Sequence, residues 1–247
     1  MVRNLRNLMP PPDVAERVTV LRPPSHPFRP AVPVVIGRGA CAPILGLAAL
    51  FTIFGMQVGL PFFVSAIFGG VGGAVSLLFH ELGHVRAASH VAGVQAKSVS
   101  LIWAGAATTL EGRYSSGRDQ VRVAIGGPQA SFSFALSLIA VCFLPAPFPA
   151  KEPLLLLAIF NIALGLLNLF PAYPLDGYKV VSGLLWSLTG SEGKARRILR
   201  RVGIAWAALE LPAALVLLVE RPLIGAVACM AAVTLFAQKR LMPRAAN

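Results

Sequence analysis

In the stretch SLLFHELGHVRAASH, Ser76 to His90, two histidines and a glutamate stand as His80, Glu81 and His84. On a helix, positions i and i+4 share a face, so the two imidazoles can be offered to one metal ion. Glu81, one position round, can reach a water held on that ion. Zinc with three protein ligands lowers the pKa of its water to about 7 and polarises a carbonyl, while a nearby carboxylate acts as general base and then as proton shuttle. That chemistry is amide hydrolysis. The plain alternative is a pair of histidines bonded to backbone carbonyls at a helix end.

Two histidines leave a catalytic zinc site one ligand short, and three residues are candidates for it. His90 follows His80 by ten positions, the spacing of H-E-x-x-H-x-x-G-x-x-H. That pattern needs a helix-breaking glycine where this chain has Ala87, a strong helix former. Glu111 lies in a basic loop with no supporting pattern around it. Asp176 sits in NLFPAYPLDG, Asn168 to Gly177, where Pro171 and Pro174 cannot continue regular helical bonding. An aspartate capping an ordinary proline-rich helix end is the alternative for Asp176.

The elements that must position these residues are set by composition. The chain has 247 residues, 56% of them hydrophobic and only 13% charged, with a mean hydropathy of +0.71. These values exclude an ordinary soluble domain. Gly39 to Phe79 carries no charge and is too long for one span of roughly 20 residues, and Pro61 divides it into two. Further apolar runs are Val123 to Ala150, Pro153 to Leu175, Val202 to Val219 with Glu210 inside it, and Pro222 to Gln238. The expectation is an all-α polytopic membrane protein of about six spans. Between spans two and three, Ala96 to Tyr114 has β-branched residues and no helical period, which predicts a short membrane-associated β-hairpin.

The net charge of +12 is distributed as a membrane orientation signal and argues against nucleic acid. Six arginines precede span one, and basic residues fill the segments between spans two and three, between spans four and five, and after span six. Only Lys151 and Arg221 fall on the other side. The positive-inside rule makes the basic side cytoplasmic, so both termini and the ends of spans two and four face the cytoplasm of a multi-pass cell-membrane protein. Residues 1–38, rich in proline and arginine, are expected to form a flexible cytoplasmic tail, 39–240 the membrane domain, and 241–247 a second tail. Cys41, Cys142 and Cys229 are scattered small packing residues.

H-E-x-x-H in an early span with N-x-x-P-x-x-P-L-D-G in a later one resembles the site-2 protease family of intramembrane zinc metalloproteases. The similarity covers most of Gly39 to Leu185, in the compact six-span form without PDZ or CBS domains. The resemblance implies one zinc ion held by His80, His84 and Asp176, with Glu81 activating water. It implies that Asn168 positions the substrate or the developing oxyanion beside the unwound backbone at Pro174. GGPQAS, Gly126 to Ser131, resembles the family's G-P-x-x-N element with Ser131 in place of asparagine. The substrate is then a transmembrane protein, captured in extended form by strand addition to the hairpin, for which Ser100 and Thr108 are the candidate positions. The lipid bilayer is the other partner. A metal or proton-coupled transporter also places histidines and carboxylates in the membrane, but transport needs no glutamate between two helical histidines. A catalytically inactive member of the same fold is the third class, and an intact Glu81 speaks against it.

Overall fold

The structure is a computed structural model that describes residues 19–21, 32–37, 39–103, 105–144 and 151–203. Spans five and six, Glu210 and the 241–247 tail lie, but for residues 202–203, outside the described residues. The chain divides into two compact units, a larger one of Pro10–Ser115 and Arg122–Asn168 and a smaller one of Met1–Met9, Ser116–Val121 and Leu169–Asn247.

In the larger unit, helix α1, Cys41–Gln57, is apolar on every side and stops where Gly59 adopts a positive φ of 84°. Pro61 then caps α2, Phe62–Ile67, so the division expected at Pro61 is observed. A π-helical turn, Phe68–Gly72, joins α2 to α3, Gly73–Ala88, giving one apolar rod of 27 residues from Phe62 to Ala88. With α4, Gly117–Cys142, and α5, Lys151–Asn168, it makes three helices long and apolar enough to cross a membrane among the described residues. The buried positions of α3 are Gly73, Ser76, His80, His84 and Ala88, whereas Val75, Phe79 and Leu82 are exposed. Polar and small residues thus form the inner face and large apolar ones the outer face. This is the arrangement expected where lipid is the solvent. Phe51, Ala135, Leu138, Leu157 and Ala158 pack α1, α4 and α5 into one apolar cluster.

The hairpin is present as β3, Val94–Ile102, and β4, Gly105–Gly112, within a four-stranded sheet. Two short strands, β1, Thr19–Leu21, and β2, Val34–Ile36, lie in the segment expected to be a tail and place β3 inside the sheet, in the order β1-β2-β3-β4. A bulge between Ala96 and Ser98 shifts the alternation of β3, so that Val94 before it and Val99 and Leu101 after it are all buried.

The ladder identifies the edge. Val99 N–H donates to Pro33 O at 3.0 Å and Leu101 O accepts from Gly37 N–H at 2.9 Å, so these two residues face β2. By alternation Ser100 and Ile102 face β4, opposite Ala107 and Gly105. Ala106 and Thr108 therefore turn their backbone groups to the outer side of β4, the end strand. Ser100 is an inner-strand residue whose backbone is already paired, not the edge position expected of it, whereas Thr108 lies on the end strand.

In the smaller unit, residues 169–175 are non-helical, as the two prolines led one to expect, and contain the cis Tyr173–Pro174 bond. Helix α6, Asp176–Thr189, follows. A Cβ on Gly177 would come within 2.1 Å of Leu169 O, so only glycine lets the loop lie against the helix start. The first turn of α4 packs on α6 through Gly117 and Gly183, and Gln120 Nε2 donates to Lys179 O at 2.8 Å.

Candidate metal centre

Backbone contact between α3 and α4 sets the position of the histidines. A Cβ on Gly83 would lie 2.2 Å from Gly126 O, and one on Gly126 would lie 2.5 Å from Gly83 O. The glycine inside H-E-L-G-H and the first glycine of GGPQAS are thus the crossing point of two helices. At this separation the side chains of α3 reach the backbone of α4. His84 Nδ1–H donates to Val123 O at 2.8 Å, and His80 Nδ1 shares a 2.8 Å hydrogen bond with Ser131 Oγ, both bonds buried. Each bond engages the Nδ1 edge of its ring, with Nε2 on the other edge, the outer-shell arrangement typical of metal-binding histidines.

The two Nε2 atoms converge. A Cβ on Gly127 would stand 2.4 Å from His84 Nε2 and 2.5 Å from His80 Nε2, so the missing side chain of Gly127 leaves the space in front of both ring nitrogens. A carboxylate oxygen of Glu81 completes the group, all three ligand atoms lying within 4.8 Å of one another. Thr108 Oγ1–H reaches down from β4 and donates to Glu81 Oε2 at 2.6 Å, with a longer 3.2 Å contact to Glu81 O. The hairpin strand at the sheet's edge is therefore bonded to the glutamate of the motif. The histidines are 3% and 5% exposed and so are shielded from bulk water. Two converging imidazole nitrogens with a carboxylate alongside fit a zinc ion in donor type.

The other sequence candidates are placed as follows. His90 is exposed, its Nδ1 bonded to Arg86 O at 2.7 Å. Glu111 is exposed and paired with Lys97 at 2.7 Å, and neither residue joins the His80–Glu81–His84 group. Asp176, in the smaller unit, is 4% exposed and accepts from Lys179 Nζ at 3.0 Å. It is the first residue of α6. Two residues on, burial pushes the Tyr178 phenol up, an effect that Arg196 opposes and Tyr173 reinforces. Asn168 ends α5 and uses one amide hydrogen on Leu164 O at 2.9 Å.

Sequence reasoning missed four parts of the site: the Val123 carbonyl, the polar role of Ser131, the space at Gly127, and Thr108 as a partner of Glu81. It also missed Asn161, fully buried, whose Nδ2 donates to Ser76 Oγ one turn before His80. An asparagine within an otherwise apolar span was the available signal.

Comparison with known proteins follows the same lines. A family model described as peptidase family M50 matches residues 145–209, which include Asn168 and Asp176. The chain is similar in sequence to proteins named as zinc metalloproteases and in fold to a site-2 protease. The site-2 protease of Methanocaldococcus jannaschii has a similar fold, with a TM-score of 0.55 and 21% identity over 91% of this chain and 97% of that one. The zinc metalloprotease MJ0392 of M. jannaschii is 31% identical over 112 residues, 45% of this chain and 32% of that protein. The Synechocystis protein sll0528, provisionally named a zinc metalloprotease, is 36% identical over 139 residues, 55% of this chain and 36% of that protein. The matched part of this chain thus spans about a third of each of these two relatives.

Proposed function

We propose that the chain is an intramembrane zinc endopeptidase that hydrolyses peptide bonds of membrane-spanning proteins. The observation that carries this reading is the convergence of His80 Nε2 and His84 Nε2 over Gly127, beside Glu81, on helices apolar enough to cross a membrane. His80 and His84 hold one Zn²⁺, with Asp176 as third ligand. When bound, zinc lowers the pKa of water and polarises the scissile carbonyl. Thr108 fixes Oε2 of Glu81, so Oε1 is the atom that takes the proton of the attacking water and later delivers it to the departing amide nitrogen. The outward backbone of β4 at Ala106 and Thr108 pairs with the substrate, whose helix must open because its carbonyls are otherwise bonded within it. The second amide hydrogen of Asn168 supports the oxyanion beside the irregular backbone at Pro174. Six spans with both termini and the opening of the site toward the cytoplasm complete the proposal, supported by the one-sided placement of basic residues.

The test is Glu81→Gln in protein reconstituted with a single-span substrate. It should keep close to one zinc per chain while cleavage falls by about 10²–10⁴, the usual contribution of a general base. Loss of zinc on this substitution would make Glu81 a ligand and overturn the assignment.

A further inference from the structure

On the side of α3 away from the converging Nε2 atoms, the larger unit holds a second concavity. It is a cleft of about 1900 Å³ against α3, α4 and the bulged part of the hairpin, and none of His80, Glu81 and His84 lines it. Its volume exceeds the ~300–1,000 Å³ usual for compact small molecules. The lining changes character along the helices. Phe79, Leu82 and Phe132 form apolar walls, and Phe79 and Leu82 are each 44% exposed. Arg86, in the last turn of α3, and Arg122, near the start of α4, lie at one end, and Lys97 of β3 lies beyond them. With about 1.5 Å of rise per residue, Phe79 is ~10 Å deeper than Arg86, and Phe132 ~15 Å deeper than Arg122. Glu111, the carboxylate among the lining residues, is paired with Lys97.

A wall that is cationic at its rim and apolar at depth is complementary to an amphiphile with an anionic head. We propose that this cleft binds an anionic phospholipid of the leaflet at the α3 C-terminal end, its phosphate against Arg86 and Arg122 and its acyl chains along Phe79, Leu82 and Phe132. The site is separate from the metal centre and does not depend on the protease reading. Occupancy would hold α3 and α4 together on the outer side of the Gly83–Gly126 crossing.

Native mass spectrometry of the full detergent-solubilised chain, titrated with phosphatidylglycerol, phosphatidylcholine or inorganic phosphate, tests the proposal. Phosphatidylglycerol should bind about tenfold more tightly than phosphatidylcholine, and inorganic phosphate should not displace it. Arg86→Gln and Arg122→Gln should each weaken phosphatidylglycerol roughly fivefold, the usual effect of one cation near an anionic lipid, while Lys194→Gln outside the cleft should not. Leu82→Trp, which keeps the charges and fills the wall, should lower the number of lipids retained. Equal binding of the two lipids, an equal loss in Lys194→Gln, or displacement by inorganic phosphate would each overturn the proposal. A photo-crosslinking residue in place of Gln129, which lines the cleft, should yield a phospholipid adduct. A cross-link to this chain's own N-terminal residues or to a second copy would instead name a different occupant and refute the lipid.

Discussion

His80 and His84 are held by bonds of different kinds, one to the Ser131 hydroxyl and one to the Val123 carbonyl, and both bonds come from α4. Because Gly127 lies between those two partners on the same helix, the space for an ion is made by the helix that orients its ligands. Gly127→Ala should therefore fold but bind zinc at least tenfold more weakly, since its Cβ would sit about where the ion must sit. Metal analysis of the purified variant alongside a thermal melt separates lost binding from lost folding. The third ligand is a separate question at the same scale. Asp176→Ala should abolish stoichiometric zinc, whereas His90→Ala and Glu111→Ala should retain it, because those two are exposed and engaged with Arg86 O and Lys97. Full zinc in Asp176→Ala with loss in His90→Ala would replace the site-2 protease ligand set with a metzincin-like one.

At the scale of the element, the hairpin has two unequal strands. β3 is paired on both sides around Val99–Leu101, while the outward groups of β4 at Ala106 and Thr108 have no strand beyond them among the described residues. Proline is tolerated at an edge and costly in an interior ladder. Ser100→Pro should lose an inner hydrogen bond and lower stability by about 1 kcal/mol or more, with or without substrate. Ala106→Pro should leave the melt almost unchanged and slow cleavage of a membrane-spanning substrate. Ala106 is the cleaner edge position, because Thr108→Pro would also remove the hydroxyl that holds Glu81. Unchanged turnover in Ala106→Pro would mean that the sheet is a surface feature with no part in substrate capture.

For the whole molecule, the membrane decides the arrangement. The chain buries Ser76, His80, His84, Ser131 and Asn161 while exposing Val75, Phe79, Leu82, Leu136 and Leu166. Such a surface is stable only in lipid. Orientation follows from charge: with single cysteines placed at Arg118 and Lys151 in a chain otherwise free of cysteine, a membrane-impermeant thiol reagent should label the two from opposite sides. Labelling of both from one side would remove α4 from the set of spans and with it the proposed common depth of the two motifs.

The candidate site residues were legible because their pattern is local. His80, Glu81 and His84 are fixed relative to one another by one helix, the break before Asp176 by two prolines, and the hairpin by its own alternation and turn. The span lengths follow from the thickness of a bilayer. What one strand or one helix cannot encode is which neighbour it meets. The pairing of β2 with β3, which made β4 the edge and moved Ser100 inside, joins strands about 60 residues apart in sequence. The hydrogen bonds from α4 to both imidazoles depend on two glycines, Gly83 and Gly126, meeting across 43 positions, and on the bare backbone of Gly127 beside them. Read in sequence, those glycines are small residues suited to close packing. Only when the helices cross does the absence of their side chains become the position and the volume of a candidate metal site.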